Sequence, residues 1–370
     1  MIPTTFAEID LGAYERNVRL VRSIIGSKVK LFAVGKADAY GMGSVRIAKT
    51  AINAGAYGIA VSDIFDAKSI NKAGINIPIL LYACTPPNLA AEIANMNLIA
   101  TIHSFESLNA FADLKQKVKI FLKIDCGFGR LGFQPENLDE VFLKIKSSKN
   151  IELIGIYTHF GHVGKDTLVE DQTEIFNNAV NDAKSAGFEE LVIMAASSRI
   201  IIGYPKLYYN AVNPGGMLFG VLEEPWRNQI KVEHVLKSVK SEIIQIKELK
   251  IGSQPSYAPI EILDKVVRIA VVPFGFRNGY PRLPSGGRVL ISGISAPVLG
   301  SRGTEHTVVD ITNVTNAKVG SEVVILGKLE KSNISANEIS EHTGVPLIEL
   351  IPRLASGSFR NYINWIWNQL

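Results

Sequence analysis

The sequence predicts an α/β protein: a (β/α)₈ barrel of the TIM type, followed by an all-β domain. In the first 230 residues, eight short apolar runs alternate with helical patterns. Apolar runs that alternate with helices are typical of parallel strands buried on both faces, and eight such units in about 250 residues are typical of a closed barrel. After Trp226 the pattern changes to short alternating strands separated by Gly, Pro and Asn turns, which indicates an all-β domain.

The predicted domains are therefore a barrel over residues 1–230 and a β domain over residues 231–370. The predicted barrel strands are LFAVG, YGIAV, PILLYA, LIATI, VKIFLKI, IELIGIYT, LVIMAA and YNAVN. Helices are predicted at SVRIAKTAINAGA, DIFDAKSINKAG, SFESLNAFADLKQ, ENLDEVFLKIKSS and EIFNNAVNDAKSAG, where apolar residues recur at three- and four-residue spacing. An open doubly wound sheet is the alternative, but no G-x-G-x-x-G follows the first strand.

Composition and charge exclude several classes of function. The net charge is +4 over 370 residues and no basic run occurs, so nucleic acid is not an expected partner. Cys84 and Cys126 are the only cysteines, which predicts no disulfide framework, and we predict no metal site. No apolar stretch approaches ~18 residues, so no membrane span is expected. The N-terminus lacks the pattern of a signal peptide, and the predicted location is the cytoplasm.

The candidate functional residues follow the predicted barrel strands, because the chemistry of this fold sits at the carboxyl ends of its strands. Lys36 follows the first apolar run, and Tyr40 comes four residues later. Those that follow later runs are Lys123, Asp125, Arg130, His159, His162, Ser197, Ser198, Arg199, Asn213, Gly215 and Gly216. A lysine that forms a Schiff base must be desolvated or otherwise tuned to lose its proton. The serine and the two glycines after strands seven and eight are typical of a phosphate-binding corner.

Each of these residues also has an ordinary structural explanation. Lys36 could pack its stem on apolar surface, Arg130 could form a surface ion pair, and His159 could be a hydrogen-bonded core histidine. Their joint position at one end of one barrel favours a ligand with an aldehyde, an aromatic ring and a phosphate. Pyridoxal 5′-phosphate (PLP) has all three groups and binds through a lysine.

The chain resembles the alanine racemase family of fold-type III PLP enzymes over nearly its whole length. Four motifs carry the resemblance: AVGKADAYGMG, KIDCGFGRLGF, GIYTHF and IAVVPFGFRNGYPR. The resemblance implies that Lys36 carries PLP and that Tyr40, Ser198, Gly215 and Gly216 hold its phosphate.

The resemblance also implies roles for three side chains around the ring. His159 would lie against the pyridine ring, and Arg130 would approach its phenolic oxygen and the substrate carboxylate. Lys123 stands where the family often has a carbamylated lysine that steadies this arginine.

A second catalytic base is implied in the β domain. The family uses a tyrosine of the partner subunit, and that position is Tyr257 in QPSYAP. Racemisation requires one base on each face of Cα, because a proton leaves from one side and returns on the other. The resemblance therefore implies a homodimer whose active site is shared between its two chains.

The chain departs from the family pattern at several positions. The arginine that faces the pyridine nitrogen is Asn213 here, and asparagine can donate or accept a hydrogen bond. Thr304 and Glu305 replace a methionine and an aspartate at the substrate-binding position. The remaining departures are His162, Phe276, Ser356 and the GSFR motif that ends in Arg360.

The leading interpretation is a PLP-dependent amino-acid racemase, acting on alanine or another amino acid. The first alternative is another fold-type III PLP enzyme: a decarboxylase, an aldolase or a dehydratase. The second alternative is a non-enzymatic PLP carrier, although such proteins resemble the barrel alone. The complete β domain with Tyr257 favours the racemase.

Overall fold

The computed structural model describes residues 3–82, 85–257 and 262–364. Cys84 and the apolar tail over residues 365–370 lie outside the described residues. Among the described residues, no helix combines the length and the apolar character that crossing a membrane requires.

Eight parallel strands form the predicted barrel. The chain begins with β1 (Phe6–Asp10) and helix α1 (Leu11–Ile25). The barrel strands are β2 (Lys30–Val34), β3 (Gly58–Val61), β4 (Ile79–Leu81), β5 (Ala100–Ile102), β6 (Val118–Lys123), β7 (Ile151–Tyr157), β8 (Val192–Ala196) and β9 (Ala211–Val212). Each pairs with its neighbours in this order, β9 returns to pair with β2, and a parallel bridge between Leu80 and Ile99 joins β4 to β5.

Helices and short connections separate these strands. The first is a single left-handed turn, α2 (Lys36–Tyr40). The helices that follow are α3 (Ser44–Asn53), α4 (Ile64–Lys72), α5 (Ala90–Asn95), α6 (Phe105–Ala112), α7 (Leu138–Ser147), α8 (Asp166–Ser185) and α9 (Ser198–Gly203). Seven of the eight strands lie within the predicted apolar runs, and β2 begins one residue earlier, at Lys30, so the predicted barrel is confirmed. Helix α8 begins at Asp166, well before the predicted start at Glu174, because its first turns carry few apolar residues and give no clear periodic signal.

Side chains fill the interior of the barrel. Phe32, Phe121 and Tyr157 are fully buried there and pack ring against ring. A filled interior leaves the mouth at the carboxyl ends of the strands as the place for a ligand.

The second domain contains two sheets whose strands are mostly antiparallel, in agreement with the predicted β domain. Its strands are β10 (Leu236–Glu242), β11 (Gln245–Leu249), β12 (Val267–Val272), β13 (Arg288–Ile291), β14 (Ile294–Pro297), β15 (Thr307–Asp310), β16 (Glu322–Leu329), β17 (Ser332–Ile334) and β18 (Phe359–Ile363). Two helices, α10 (Ala336–Thr343) and α11 (Leu347–Ser356), precede β18.

The first strand of the chain lies in the sheet of the second domain. β1 pairs antiparallel with β10 and parallel with β18, whereas the predicted division at residue 230 assigns it to the barrel domain. Sequence pattern shows that a strand is half-buried but not which sheet it joins. The chain therefore crosses between the sheets twice, and the end of the β domain reaches the loop after β2.

Candidate active site

A pocket of about 330 Å³ opens where the barrel strands end. It brings together predicted residues that are far apart in the sequence. They are Lys36, Tyr40, His159, His162, Ser197, Ser198, Arg199, Asn213, Gly215 and Gly216.

Lys36 begins a left-handed turn. The four residues 37–40 all have φ between 51° and 55°, a conformation that costs roughly 1–2 kcal/mol for each L-residue. Asp38 is held on three sides: its carboxylate accepts from the backbone N–H of Ser44 at 2.7 Å and pairs with Arg360 at 2.6 Å, and its own N–H donates to Asp66 at 3.0 Å. These contacts of Asp38 stabilise the turn and fix the position of Lys36 at its start.

Two glycines let the β domain pack against this turn. A Cβ on Gly41 would lie 2.5 Å from the carbonyl oxygen of Pro352, and one on Gly43 would lie 2.1 Å from the hydroxyl of Tyr362. Tyr362 also donates to the carbonyl of Met42 at 3.1 Å. The second domain thus buttresses the segment that carries Lys36.

The amine of Lys36 is tuned towards its neutral form. Burial lowers its pKa, and the charge of Arg130 lowers it further. Its Nζ lies 5.7 Å from the centre of the Tyr40 ring. Burial raises the pKa of Tyr40, so this hydroxyl stays protonated and can donate. A neutral amine is what a lysine nucleophile or base requires.

Ser198 and the two glycines form a corner of converging donors. The hydroxyl of Ser198 accepts from the backbone N–H groups of Gly215 at 3.1 Å and Met217 at 3.3 Å. A Cβ on Gly215 would lie 2.4 Å from the Tyr40 hydroxyl, and one on Gly216 would lie 2.5 Å from a backbone carbonyl. Only glycine permits this close approach of backbone and hydroxyl, the arrangement that binds phosphate.

His159 presents a ring to the same pocket. Its Nδ1 is buried without a partner among the described residues, and the ring of Phe128 meets it edge-on at 5.2 Å. Burial lowers the pKa of His159 to about 3, with the charges of Lys123, Arg130 and Lys36 adding to the effect. The imidazole is therefore neutral around pH 7.

The pKa of His159 predicts a pH dependence of stability. In the unfolded chain, the imidazole of His159 binds a proton once the pH falls below its ordinary pKa of 6.5. In the folded chain it does so only near pH 3, because its pKa is lowered to about 3. The free energy of unfolding of the cofactor-free protein should therefore rise with pH between these values, with up to about 1.4 kcal/mol per pH unit from this group. Urea unfolding of His159→Gln should show a shallower rise than wild type.

The matched control is His306→Gln, the same substitution at an exposed histidine outside the pocket. An unchanged slope in His159→Gln would show that the imidazole is not held neutral in the folded state.

Asn213 and Tyr82 form a pair on the pocket wall. The amide Nδ2 of Asn213 donates to the Tyr82 hydroxyl at 3.0 Å, and its Oδ1 is buried without a partner among the described residues. Burial raises the pKa of Tyr82 to about 12, against a smaller lowering by Arg130. The sequence analysis missed Tyr82, although its position directly after β4 was a usable signal.

Lys123 is a buried amine behind the pocket. It is 4% exposed, and its Nζ donates to the carbonyl of Ile124 at 3.4 Å and lies 4.8 Å from the centre of the Tyr157 ring. Burial is the main cause that lowers its pKa to about 7. A large fraction of this amine is thus neutral and nucleophilic near pH 7.

Arg130 is carried by a glycine-rich loop after β6. The carboxylate of Asp125 accepts from the backbone N–H groups of Gly127 and Gly129 at 3.1 Å, which shapes the loop. The exposed guanidinium lies 4.4 Å from the centre of the Phe128 ring, which lines the pocket. Arg130 is thus beside the pocket rather than in its wall.

The candidate residues of the β domain form a second group. Tyr257 is 56% exposed, and the guanidinium of Arg282 lies 5.3 Å from its ring centre. Gly303, next to Thr304, approaches the Tyr257 ring so closely that a Cβ would lie 3.2 Å from Cε2. Glu305 pairs with Arg277. None of these residues is among the described ones that line the pocket.

The other departures from the family pattern lie in three places. His162 lines the pocket, with φ of 53°. Ser356 packs against Gly41, and Arg360 pairs with Asp38 behind the turn. Phe276 is 39% exposed in the β domain. The sequence analysis also missed an ion pair between Arg199 and Glu223 that lines the pocket.

Comparison with known proteins identifies the family. The chain matches the family models "Alanine racemase, N-terminal domain" over residues 9–223 and "Alanine racemase, C-terminal domain" over residues 236–362. It is 31% identical to the alanine racemase of Methanococcus maripaludis (97% of this chain, 98% of the relative) and 32% identical to that of Halothermothrix orenii (98% and 97%).

Solved structures give the same result. The alanine racemase of Bacillus anthracis with bound L-Ala-P superimposes with a TM-score of 0.91 at 27% identity, and that of Clostridium difficile with 0.90 at 26%. Each comparison covers 98% of this chain and 96% of the other. These matches confirm the resemblance inferred from the sequence and the prediction of an amino-acid racemase similar to alanine racemase. The chain belongs to the alanine racemase family.

Proposed function

We propose that this chain racemises alanine with PLP bound in the barrel pocket. The observation that carries the proposal is that Lys36, His159, the Ser198 corner and Asn213 line one pocket. Within the described part of the chain, His159 and Asn213 each have a buried polar atom without a partner. These atoms and the glycine corner fit a ligand with a polar ring and a phosphate. When bound, PLP supplies an electron sink that stabilises negative charge at the substrate Cα.

The chain's own residues hold this cofactor. The phosphate would be bound by a group of hydrogen-bond donors. They are the hydroxyls of Tyr40 and Ser198 and the backbone N–H groups around Gly215 and Gly216. Lys36, whose pKa is lowered by burial, would hold the cofactor through its amine, and His159 would lie against the ring. Asn213 would lie on the side of the ring nitrogen.

Two groups move the proton of the substrate. Lys36 acts on one face of Cα, and the hydroxyl of Tyr257 acts on the opposite face. Tyr257 is exposed and lies outside the pocket of its own chain, so we infer that it enters the pocket of a second copy. The active form is thus a homodimer in which each pocket is completed by the partner's β domain, with Thr304 and Glu305 beside the substrate.

Arg130 binds the substrate carboxylate. Its guanidinium is exposed at the pocket in a single chain, where it can form two parallel hydrogen bonds to a carboxylate. We infer that Lys123 is carbamylated: burial leaves its amine largely neutral, so the amine can add carbon dioxide and release one proton to solvent. The resulting anion would hold Arg130 in place.

The phosphate corner leads to a binding prediction. The added methyl group of Gly215→Ala would lie 2.4 Å from the Tyr40 hydroxyl. The Tyr40 hydroxyl and the backbone N–H groups that bind the phosphate would therefore have to move apart. We expect PLP to bind about tenfold or more weakly, the loss of one charge-assisted hydrogen bond. Fluorescence titration of the cofactor-free protein measures this.

Pyridoxal, which has no phosphate, serves as the control ligand in the same titration. Its affinity should change little in the variant. An equal loss for both ligands would contradict the placement of the phosphate at this corner.

The proposed function is tested by incubating the purified, PLP-loaded protein with each L-amino acid and separating the products by chiral chromatography. The proposal requires D-alanine from L-alanine. Production of an amine or an aldehyde instead would favour a decarboxylase or an aldolase. No conversion of any amino acid by PLP-loaded protein would favour a carrier.

A further inference from the structure

The side-chain amide of Asn213 is buried and is hydrogen-bonded through one of its two ends. Asn213 is 3% exposed, and its Nδ2 donates to the hydroxyl of Tyr82 at 3.0 Å. An amide has donors at one end and an acceptor at the other. With the donor end held by Tyr82, the acceptor end remains, and Oδ1 is a buried atom without a partner among the described residues.

Tyr82 is itself held in place. Its ring stacks on that of Tyr157 with 5.3 Å between centres and 30° between planes, and the Tyr157 hydroxyl is 3.1 Å from that of Thr101. Because the pKa of Tyr82 is raised to about 12, its oxygen remains a neutral hydroxyl. Both Tyr82 and Asn213 line the pocket.

We propose that Tyr82 is a positioning residue that keeps the carbonyl oxygen of Asn213 facing the ring nitrogen, so that the bound cofactor carries a proton on that nitrogen. The proposal rests on the proposed function, since it concerns PLP in this pocket. An amide oxygen opposite an unprotonated nitrogen would set two lone pairs against each other. A proton on the nitrogen converts that contact into a hydrogen bond and gives Oδ1 its partner.

Charges around the pocket act both for and against a proton on the ring nitrogen, so the contribution of the Asn213 oxygen can be measured. Arg130 places positive charge beside the pocket and acts against a protonated ring. The phosphate and the Asn213 oxygen act in its favour. Loss of the amide orientation should therefore change the state of the nitrogen at pH 7.

The experiment is ¹⁵N NMR of the protein loaded with PLP labelled at the ring nitrogen, at pH 7. The wild type should show the resonance at the pyridinium position. In Tyr82→Phe, Nδ2 loses its acceptor and the amide can turn, so the resonance should move towards the pyridine position. Adding Asn213→Asp should restore it, because a carboxylate presents an oxygen whichever way it turns.

Tyr157→Phe is the matched control: it removes a hydroxyl from the neighbouring ring but leaves the Tyr82–Asn213 hydrogen bond. Its resonance should stay at the wild-type position. A pyridine resonance in the wild type, or an unchanged one in Tyr82→Phe, would overturn the proposal. A protein that gives no bound resonance at all would contradict the proposed function instead.

Discussion

Replacing Lys36 by methionine is expected to lower kcat/KM for alanine racemisation by at least about 10⁴-fold. Loss of a general base alone costs up to about 10⁴-fold, and this variant also loses the amine that carries the cofactor. Chiral chromatography measures the rate. In the wild type, borohydride reduction followed by peptide mapping should place the pyridoxyl group on Lys36.

Lys30→Met is the matched control. Lys30 lies at the opposite end of β2, where its Nζ is 4.6 Å from the centre of the Tyr57 ring. This variant should racemise alanine at close to the wild-type rate. Retained racemisation in Lys36→Met, or a pyridoxyl group on another lysine, would contradict the assignment.

Replacing Tyr257 by phenylalanine should slow proton exchange with one enantiomer of alanine and not with the other. The change removes a hydroxyl and keeps the ring, so the rate of the affected half should fall by about 10²- to 10⁴-fold. Lys36 still exchanges the proton of the other enantiomer. Mass spectrometry of D- and L-alanine incubated separately in deuterium oxide measures both rates.

Tyr57→Phe is the control, since Tyr57 is another exposed tyrosine and lies next to β3 at the amino end of the barrel. Its exchange rates should match those of the wild type. If Tyr257→Phe slowed both enantiomers equally, or neither, a two-base mechanism with this tyrosine would be wrong.

The barrel could be predicted from the sequence because its strands are continuous apolar runs. Each of β3 to β9 lies inside such a run, and β2 begins only one residue before its run. The partners of β1 could not be predicted, because a five-residue strand with alternating burial fits either sheet. β1 belongs to the sheet of the β domain because β18, at the end of that domain, returns to pair with it.

The pocket was predictable wherever a polar residue lies one or two positions after the end of a strand. Lys36, His159, Ser198 and Asn213 all do so, and the closed barrel brings them into one pocket. Tyr82 also follows a strand, but it stands inside the predicted apolar run PILLYA, so the sequence pattern assigns it to the strand itself. Its hydrogen bond to Asn213 depends on closure of the barrel across residues 131 positions apart in sequence.

The support behind Lys36 was the least predictable part of the site. The sequence marks Arg360 only as the end of the GSFR motif that departs from the family pattern, whereas in the structure it pairs with Asp38. This ion pair joins the end of the chain to its first barrel loop. No local pattern in the sequence indicates a contact over that distance.

The central claim is that each active site combines the barrel pocket of one chain with Tyr257 of another. Complementation tests it most directly: Lys36→Met and Tyr257→Phe chains, each with a different affinity tag, are co-expressed and the mixed dimer is isolated through both tags. One of its two pockets then holds both wild-type residues, so the mixed dimer should regain about half of the wild-type racemase activity, while each variant alone stays inactive. A mixed dimer as inactive as its parents, or an active enzyme that is a monomer, would contradict the account.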